Sequence, residues 1–511
     1  MKYPIGIQDF GELRNGGYVY VDKTEHIHRI ITGGKYFFLS RPRRFGKSLL
    51  LSTMKELYSG ARELFEGLWI ENNWDWKKQN PVIWLKFSSY SYQTKALDQA
   101  INEGLLLEAQ RMGITLGEAN YKSYLQELIV KAASNGKVVL LIDEYDKPII
   151  DYLDDIPQAE ANRDVLKNFY SILKDSDAYL ELVFITGVSA FSKVSIFSDL
   201  NNLKNLSLHK DASALLGITS NELEAYFNSR IQQIAVHQKV EGEVLFERVK
   251  EWYNGYSWDG ETKLYNPFSL LNFLDGEKFH NFWFATGTPT FLVKEMRKQQ
   301  YYDIDRVEAS ESQLSAFDFQ NLDPLTVLFQ TGYLTIDGYD ERFLVYRLRY
   351  PNQEVRFSLQ QYLLNAYRGT MSGNALAPVI AITKALEAKD IGRVVETINT
   401  TFSSIPYDLW QRENEHFYHA LVHLIFSLLG TYVQSEVHSA KGRCDALVQT
   451  GDYIYALEFK LDQPAAEALR QIRERGYLNP YVDSPKEKIA VGIGFSTEEK
   501  RVVDWGVEDF R

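Results

Sequence analysis

Residues 35–54 read KYFFLSRPRRFGKSLLLSTM. The aromatic and apolar run from Lys35 to Ser40 predicts a short buried strand, and the leucines and methionine from Leu49 to Leu57 suit a helix. Between them lies a basic loop. Strand, loop and helix in that order form the frame in which backbone N–H groups at a helix N-terminus surround a phosphate. Gly46 permits close approach, Lys47 reaches the β/γ oxygens, and Ser48 offers a hydroxyl to Mg²⁺, in the order the P-loop motif requires. The motif also places a glycine where this chain has Arg41. Arginine there gives up the freedom to take positive φ, and the loop is expected to set Arg41, Arg43 and Arg44 around the phosphates.

Working outward, Val82–Phe87, Val138–Ile142 (entered through the Asn135-Gly136 turn) and Leu180–Thr186 are further strand candidates. Helical stretches such as Ala96–Arg111 and Ala161–Leu173 separate them, which predicts an α/β parallel sheet covered on both faces. The strand VVLLI ends in Asp143 and Glu144. At such a strand end Asp143 would hold Mg²⁺ through water, and Glu144 would orient or deprotonate an attacking water. A strand ending in a solvated acidic turn is the plain alternative. Thr186 or Ser189 on the next strand could face a γ-phosphate, or simply end that strand. Arg43 and Arg44 could clamp the γ-phosphate, or await the phosphate of a nucleic acid.

From about Thr219 the texture changes. Asn221–Gln233 and Glu243–Tyr253 look helical, and the aromatic section YNGYSWDGETKLYNPFSLLNFL follows. LFQTGYLTI and FLVYRLRY alternate like strands around an Asp-rich turn, compatible with a winged-helix module. Ser372–Ala377 reads as a linker.

The C-terminal part carries a second chemistry. Glu413–Leu429 suits a helix with Glu415 and His419 one turn apart. Strand-like TYVQSEV, a turn through Lys441-Gly442, RCDALVQ, YIYALEFK, a helix over Gln463–Tyr477 and the strand KIAVGIGF follow. This αβββαβ order is the core layout of PD-(D/E)XK, or restriction-endonuclease-like, nucleases. Alternation along YIYALEFK puts Ile454, Ala456, Glu458 and Lys460 on one face. Asp445 on the preceding strand can lie across from them. Asp445 and Glu458 can hold a hard cation, Glu415 can complete the site, and Lys460 can orient water or neutralise charge in the transition state. A Lys460–Asp445 salt bridge is the structural alternative. On the next helix Gln471, Tyr477, Arg470, Arg473 and Arg475 could contact phosphates, although the arginines fit better as a solvated face paired with Glu467 and Glu474. His416, His419 and His423 read as surface or core histidines.

Bulk numbers limit the alternatives. The chain has 511 residues, too many for one ordinary core, with 45% hydrophobic and 24% charged residues as in folded proteins. Lys and Arg total 56 against 68 Asp and Glu, a net −12 that argues against broad coating of nucleic acid but leaves room for a local basic cleft. The single cysteine, Cys444, excludes an internal disulfide and a thiolate zinc cluster and suits a reducing compartment. The first residues lack an apolar signal-peptide core, and the apolar stretch Leu421–Val433 falls short of the roughly 20 residues that span a bilayer. A soluble, cytoplasmic protein is expected, with no membrane partner.

IGIQDFGELRNGGYVYVDKTEHI, FFLSRPRRFGKSLLLSTM, LLIDEYDKPI, WYNGYSW…YNPFSLLNFL and GRCDALV…ALEFKLD together resemble the bacterial AAA-ATPase-like proteins with a C-terminal PD-(D/E)XK nuclease domain. The resemblance spans nearly the whole chain, and RPRRFGKS, Arg41 included, is similar to that family's own loop. It implies an AAA-like P-loop core over 1–217, a helical lid-like region over 218–300, a winged-helix-like region over 301–372, a helical linker over 373–406 and a nuclease-like domain over 407–511. Carried over by position, Lys47, Ser48, Asp143 and Glu144 serve ATP and its Mg²⁺, while Asp445, Glu458 and Lys460 serve a Mg²⁺ or Mn²⁺ ion and the scissile phosphate. The proline usual before the first nuclease aspartate is replaced by Cys444. The expected activity is ATP-regulated nucleic-acid cleavage, with DNA the first substrate to test, a homo-oligomer one arrangement, and defence or mobile-element biology the setting by association. Two other readings compete: a nucleotide-dependent switch or scaffold whose nuclease-like domain binds without cleaving, and a motor ATPase.

Overall fold

The structure is a computed structural model that describes residues 1–117, 120–189, 196, 197, 200, 202–284, 290–299, 301, 302, 304, 306–315, 323–369, 376–405, 415–430, 434–437 and 445–510. The side chains of 290, 291, 415, 416, 419 and 434–437 lie outside that description, as do Cys444, the Lys441-Gly442 turn and most of the expected Ser372–Ala377 linker. The chain divides into two compact units, Met1–Gly287 with Asp305–Glu354, and Thr288–Ile304 with Val355–Arg511. Among the described residues no helix is long and apolar enough to cross a membrane.

The first unit is built on strands β1 (Tyr36–Ser40), β2 (Val82–Lys86), β3 (Val138–Asp143), β4 (Leu180–Gly187) and β5 (Lys204–Asn205). They form one sheet in the order β2-β3-β4-β1-β5, with every pairing parallel. Period-two alternation splits their side chains between two cores. Val138, Leu140 and Ile142 join the core beneath helices Leu97–Arg111, Tyr121–Ala132 and Ile156–Tyr170. Val139 and Leu141 face the other core, with Leu50, Leu51, Met54 and Leu57 of the helix Lys47–Tyr58. Burial on both faces explains why these strands read as continuous apolar runs.

Two expected elements shift. The helix foreseen at Ala161–Leu173 begins at Ile156, because Asp155 accepts from the Gln158 N–H and a proline occupies the first turn. It breaks after Tyr170. In LFQTGYLTI the first four residues finish a helix, Pro324–Thr331, capped by Asp323 and ended at Gly332 with φ 90. Only then does the chain become extended. The strands β8 (Val307–Ser310), β9 (Thr335–Asp340) and β10 (Val345–Arg349) form an antiparallel sheet ordered β8-β10-β9; β6 (Ile218–Thr219) and β7 (Leu264–Tyr265), which form one short antiparallel pair, precede them in the chain.

The second unit carries a mixed sheet of β11 (Gln434–Val437), β12 (Ala446–Gln449), β13 (Tyr453–Leu461), β14 (Glu487–Ser496) and β15 (Arg501–Phe510), in that order. Only β13–β14 is parallel, and the helix Ala465–Arg475 makes that crossover. The last strand extends the expected αβββαβ set by one. On one face Ile454 and Ala456 pack with Leu469 and Ile472. On the other, the Tyr455 hydroxyl donates to the Leu386 carbonyl and Phe459 meets Phe426.

Candidate functional site

Lys47 begins the helix Lys47–Tyr58, with Gly46 before it at φ 94, a left-handed turn that favours glycine. The lysine is buried, and its Nζ donates to the Arg41 and Pro42 carbonyls at 2.8 and 2.9 Å. Burial lowers its pKa, opposed by the charges of Asp143, Asp146 and Glu144. β4 lies between β1 and β3 and runs parallel to both, so the P-loop strand and the acidic strand end at the same edge of the sheet with one strand interposed. Asp143 is buried at the end of β3, and Thr186 Oγ1 donates to its Oδ1 at 2.8 Å. A hydroxyl holding one carboxylate oxygen leaves the other for a cation or its water. The Ser48 hydroxyl and the Asp143 carboxylate are oxygen ligands of the kind that suits Mg²⁺.

A cleft of about 410 Å³ opens here, lined by Arg43, Arg44, Gly46, Lys47, Ser48 and Glu144, with Ile5, Leu216 and Phe268 supplying apolar wall. Arg43 and Arg44 are exposed, and the Arg44 guanidinium lies 4.8 Å from the Phe268 ring centre. Arg41 corrects the expectation that all three arginines surround the phosphates. Its guanidinium is 1% exposed and donates to the carbonyls of Ser40, Ser207 and Ala212. It also lies 4.0 Å from the Trp258 ring centre, and burial lowers its pKa to about 9. Carbonyl dipoles and an aromatic face satisfy the buried charge, so Arg41 braces the loop from behind.

Thr186 and Ser189, the two γ-phosphate candidates, both bond to carboxylates. The Ser189 hydroxyl donates to Asp146 Oδ2 at 2.6 Å, and the same oxygen accepts the Val188 and Ser189 N–H groups. Asp146 is thus a positioning residue that sequence reasoning passed over. Its signal was present as the second aspartate of DEYD, on the same turn as Asp143.

The second site lies in the other unit. Asp445, just before β12, and Glu458 on β13 face each other. The Asp445 N–H donates to Glu458 Oε2 at 3.3 Å, and the Phe459 N–H donates to Asp445 Oδ2 at 2.7 Å. Glu458 is 3% exposed; burial first and the Asp445 charge second push its carboxyl up to about 7. Two carboxylates that repel in a buried place gain from a divalent cation between them. Lys460 donates to Glu458 Oε1 at 3.1 Å and to Gln471 Oε1 at 2.6 Å, while Gln471 Nε2 donates back to Glu458 Oε1 and to the Tyr477 hydroxyl. Gln471, expected only as a phosphate contact, bridges the acid and the lysine. Arg470 pairs with Glu467 and Glu474, the partners the solvated-face reading named, whereas Arg473 pairs with Glu508. Among the described residues no three His, Cys, Asp or Glu side chains form a ready-made metal cluster. Glu415, the expected third ligand, begins the helix Glu415–Leu429, with its side chain outside the description.

Comparison with known proteins covers both sites. The AAA-ATPase-like family, described as a predicted AAA-ATPase, matches residues 4–197, and the PD-(D/E)XK nuclease superfamily matches residues 413–505. A protein of Azotobacter chroococcum mcd 1 named "Uncharacterized protein in vnfD 5'region" is 38% identical over 523 residues, 99% of each chain. The chain belongs to the AAA-ATPase-like family and carries a C-terminal PD-(D/E)XK nuclease superfamily domain. No solved structure matches it. Within this AAA-ATPase-like chain the first match holds the P-loop, Asp143 and Asp146, and the second holds Asp445, Glu458, Lys460 and Gln471.

Proposed function

We propose that the chain binds ATP with Mg²⁺ at the P-loop and cleaves phosphodiester bonds of nucleic acid, DNA first, at the Asp445–Glu458–Lys460 site. The observation that carries this reading is the pairing of half-buried Asp445 with buried Glu458, with Lys460 and Gln471 bonded to the same Glu458 oxygen. Asp445 and Glu458 would hold a divalent cation. When bound, that ion supplies charge neutralisation at the phosphate and a more acidic water. Lys460, kept beside Glu458 by Gln471, is placed to neutralise charge developing on the phosphate oxygens. At the other site Lys47 would exchange the Arg41 and Pro42 carbonyls for phosphate oxygens, Ser48 and Asp143 would hold Mg²⁺, and Glu144 would orient water. The single Cys444 fits a reducing, cytoplasmic setting.

A second reading, a nucleotide switch whose nuclease-like domain binds without cleaving, draws on the atypical loop, where Arg41 stands at the motif's first glycine and is buried against the Ser40, Ser207 and Ala212 carbonyls. Cleavage of single- and double-stranded DNA and RNA in Mg²⁺ or Mn²⁺, repeated with Asp445→Asn, separates the two. Metal-dependent cleavage lost in the variant supports the nuclease, and binding without cleavage supports the switch.

A further inference from the structure

The family match for the ATPase stops at residue 197, yet side chains well beyond it brace the phosphate loop. Phe45 packs edge-on against Tyr256 and Trp258, at 4.8 and 5.2 Å between ring centres. A Cβ added at Gly332 would come within 2.6 Å of the Pro42 ring, so backbone there abuts the loop directly. Trp283 Nε1 donates to the Arg43 carbonyl at 3.1 Å. The Trp283 backbone N–H in turn donates to Glu354 Oε1 at 2.7 Å. Both residues are buried, Glu354 completely. Glu354 is the second residue of the helix Gln353–Tyr367, and the boundary between the two compact units falls immediately after it.

These contacts form an unbroken series from the loop to that helix. The Lys47 ammonium donates to the Arg41 and Pro42 carbonyls of the loop. A triphosphate would draw the ammonium to its own oxygens and turn the loop N–H groups inward. The peptide of Arg43, next in the chain, carries the carbonyl that holds the Trp283 indole. A change there alters a half-buried hydrogen bond that holds the indole against the loop, so the tryptophan follows the loop. Its amide holds the carboxyl at the head of the helix.

We propose that Trp283 and Glu354 are positioning residues that carry P-loop occupancy to the helix Gln353–Tyr367, within which the chain passes from Glu354 of the first unit to Val355 of the nuclease-bearing one. The inference rests on the nucleotide-binding reading above. Coupling of this kind is a difference in free energy between two arrangements of one element, so it is read as a nucleotide-linked change in that element.

The test is hydrogen–deuterium exchange of the full-length protein, with and without saturating ATP·Mg²⁺, beside Trp283→Phe, Glu354→Ala and Glu354→Gln. A fluorescent ATP analogue measures binding separately. In the parent, ATP should change exchange over 353–367 by about threefold or more. Trp283→Phe and Glu354→Ala should lose most of that response while holding the analogue within about fivefold of parental affinity. Glu354→Gln keeps an acceptor for the Trp283 N–H and should keep the response. Bound analogue with unchanged exchange in the parent, or a full response in Trp283→Phe, overturns the relay. Failure of the parent to bind the analogue overturns the nucleotide reading, and the relay with it. A variant that does not fold leaves the parent comparison and the remaining variants decisive.

Discussion

The guanidinium carbon of Arg41 lies 4.0 Å from the centre of the Trp258 ring, and both residues are buried. The two are 217 positions apart (258 − 41), so the loop's stiffness is a tertiary property. Trp258→Ala should cost about 3 kcal/mol of stability through the cavity and the stranded charge. It should also weaken ATP binding by about tenfold, about 1.4 kcal/mol. Urea unfolding and fluorescent-analogue titration check both, and unchanged affinity in a folded variant would show that Arg41 does not shape the site.

Thr186 supplies the hydroxyl that fixes Asp143. Thr186→Val keeps the volume and removes the donor. Steady-state ATP turnover should fall by about tenfold to a hundredfold, with much smaller change in nucleotide affinity, as expected when a partner behind a metal ligand is lost. Equal losses in affinity and turnover would place Thr186 in binding alone.

Burial lifts the Glu354 carboxyl to about 7 from 4.5, so the folded chain keeps a proton that the unfolded chain releases between those values. Stability from this group is present at low pH and is lost as pH rises through about 7. The loss amounts to at most about 3 kcal/mol. Glu354→Gln should flatten the decline between about pH 5 and about pH 8, measured by denaturant unfolding of parent and variant. Parallel pH profiles would show that the group titrates normally.

Gln471 links Lys460 to Glu458, so Gln471→Ala should reduce cleavage by about tenfold or more while leaving affinity for the DNA or RNA substrate within about threefold. Loss of substrate binding with an unchanged single-turnover rate would return Gln471 to a phosphate-contact role.

Much of this was legible because it obeys local rules. Alternation in YIYALEFK placed Glu458 and Lys460 on one face, and the apolar runs around Asp143 marked a strand buried on both sides. Arg41 was misread because the motif describes a loop by its own residues, whereas its carbonyl acceptors and Trp258 come from Ser207, Ala212 and beyond. Asp146 and Gln471 were underestimated for a related reason. Their partners are 43 and 11 positions away, on other elements, where sequence spacing carries little information. The strand β15 went unread because RVVDWGVEDF mixes charge and apolar residues on a sheet edge.

The most direct test of the central claim is cleavage of mixed DNA and RNA substrates in Mg²⁺ and Mn²⁺, with and without ATP, by the parent beside Glu458→Ala/Lys460→Ala. The account predicts cleavage by the parent that responds to ATP and disappears in the double variant. Cleavage that persists unchanged in the double variant, or no cleavage by a parent that binds ATP, would contradict it.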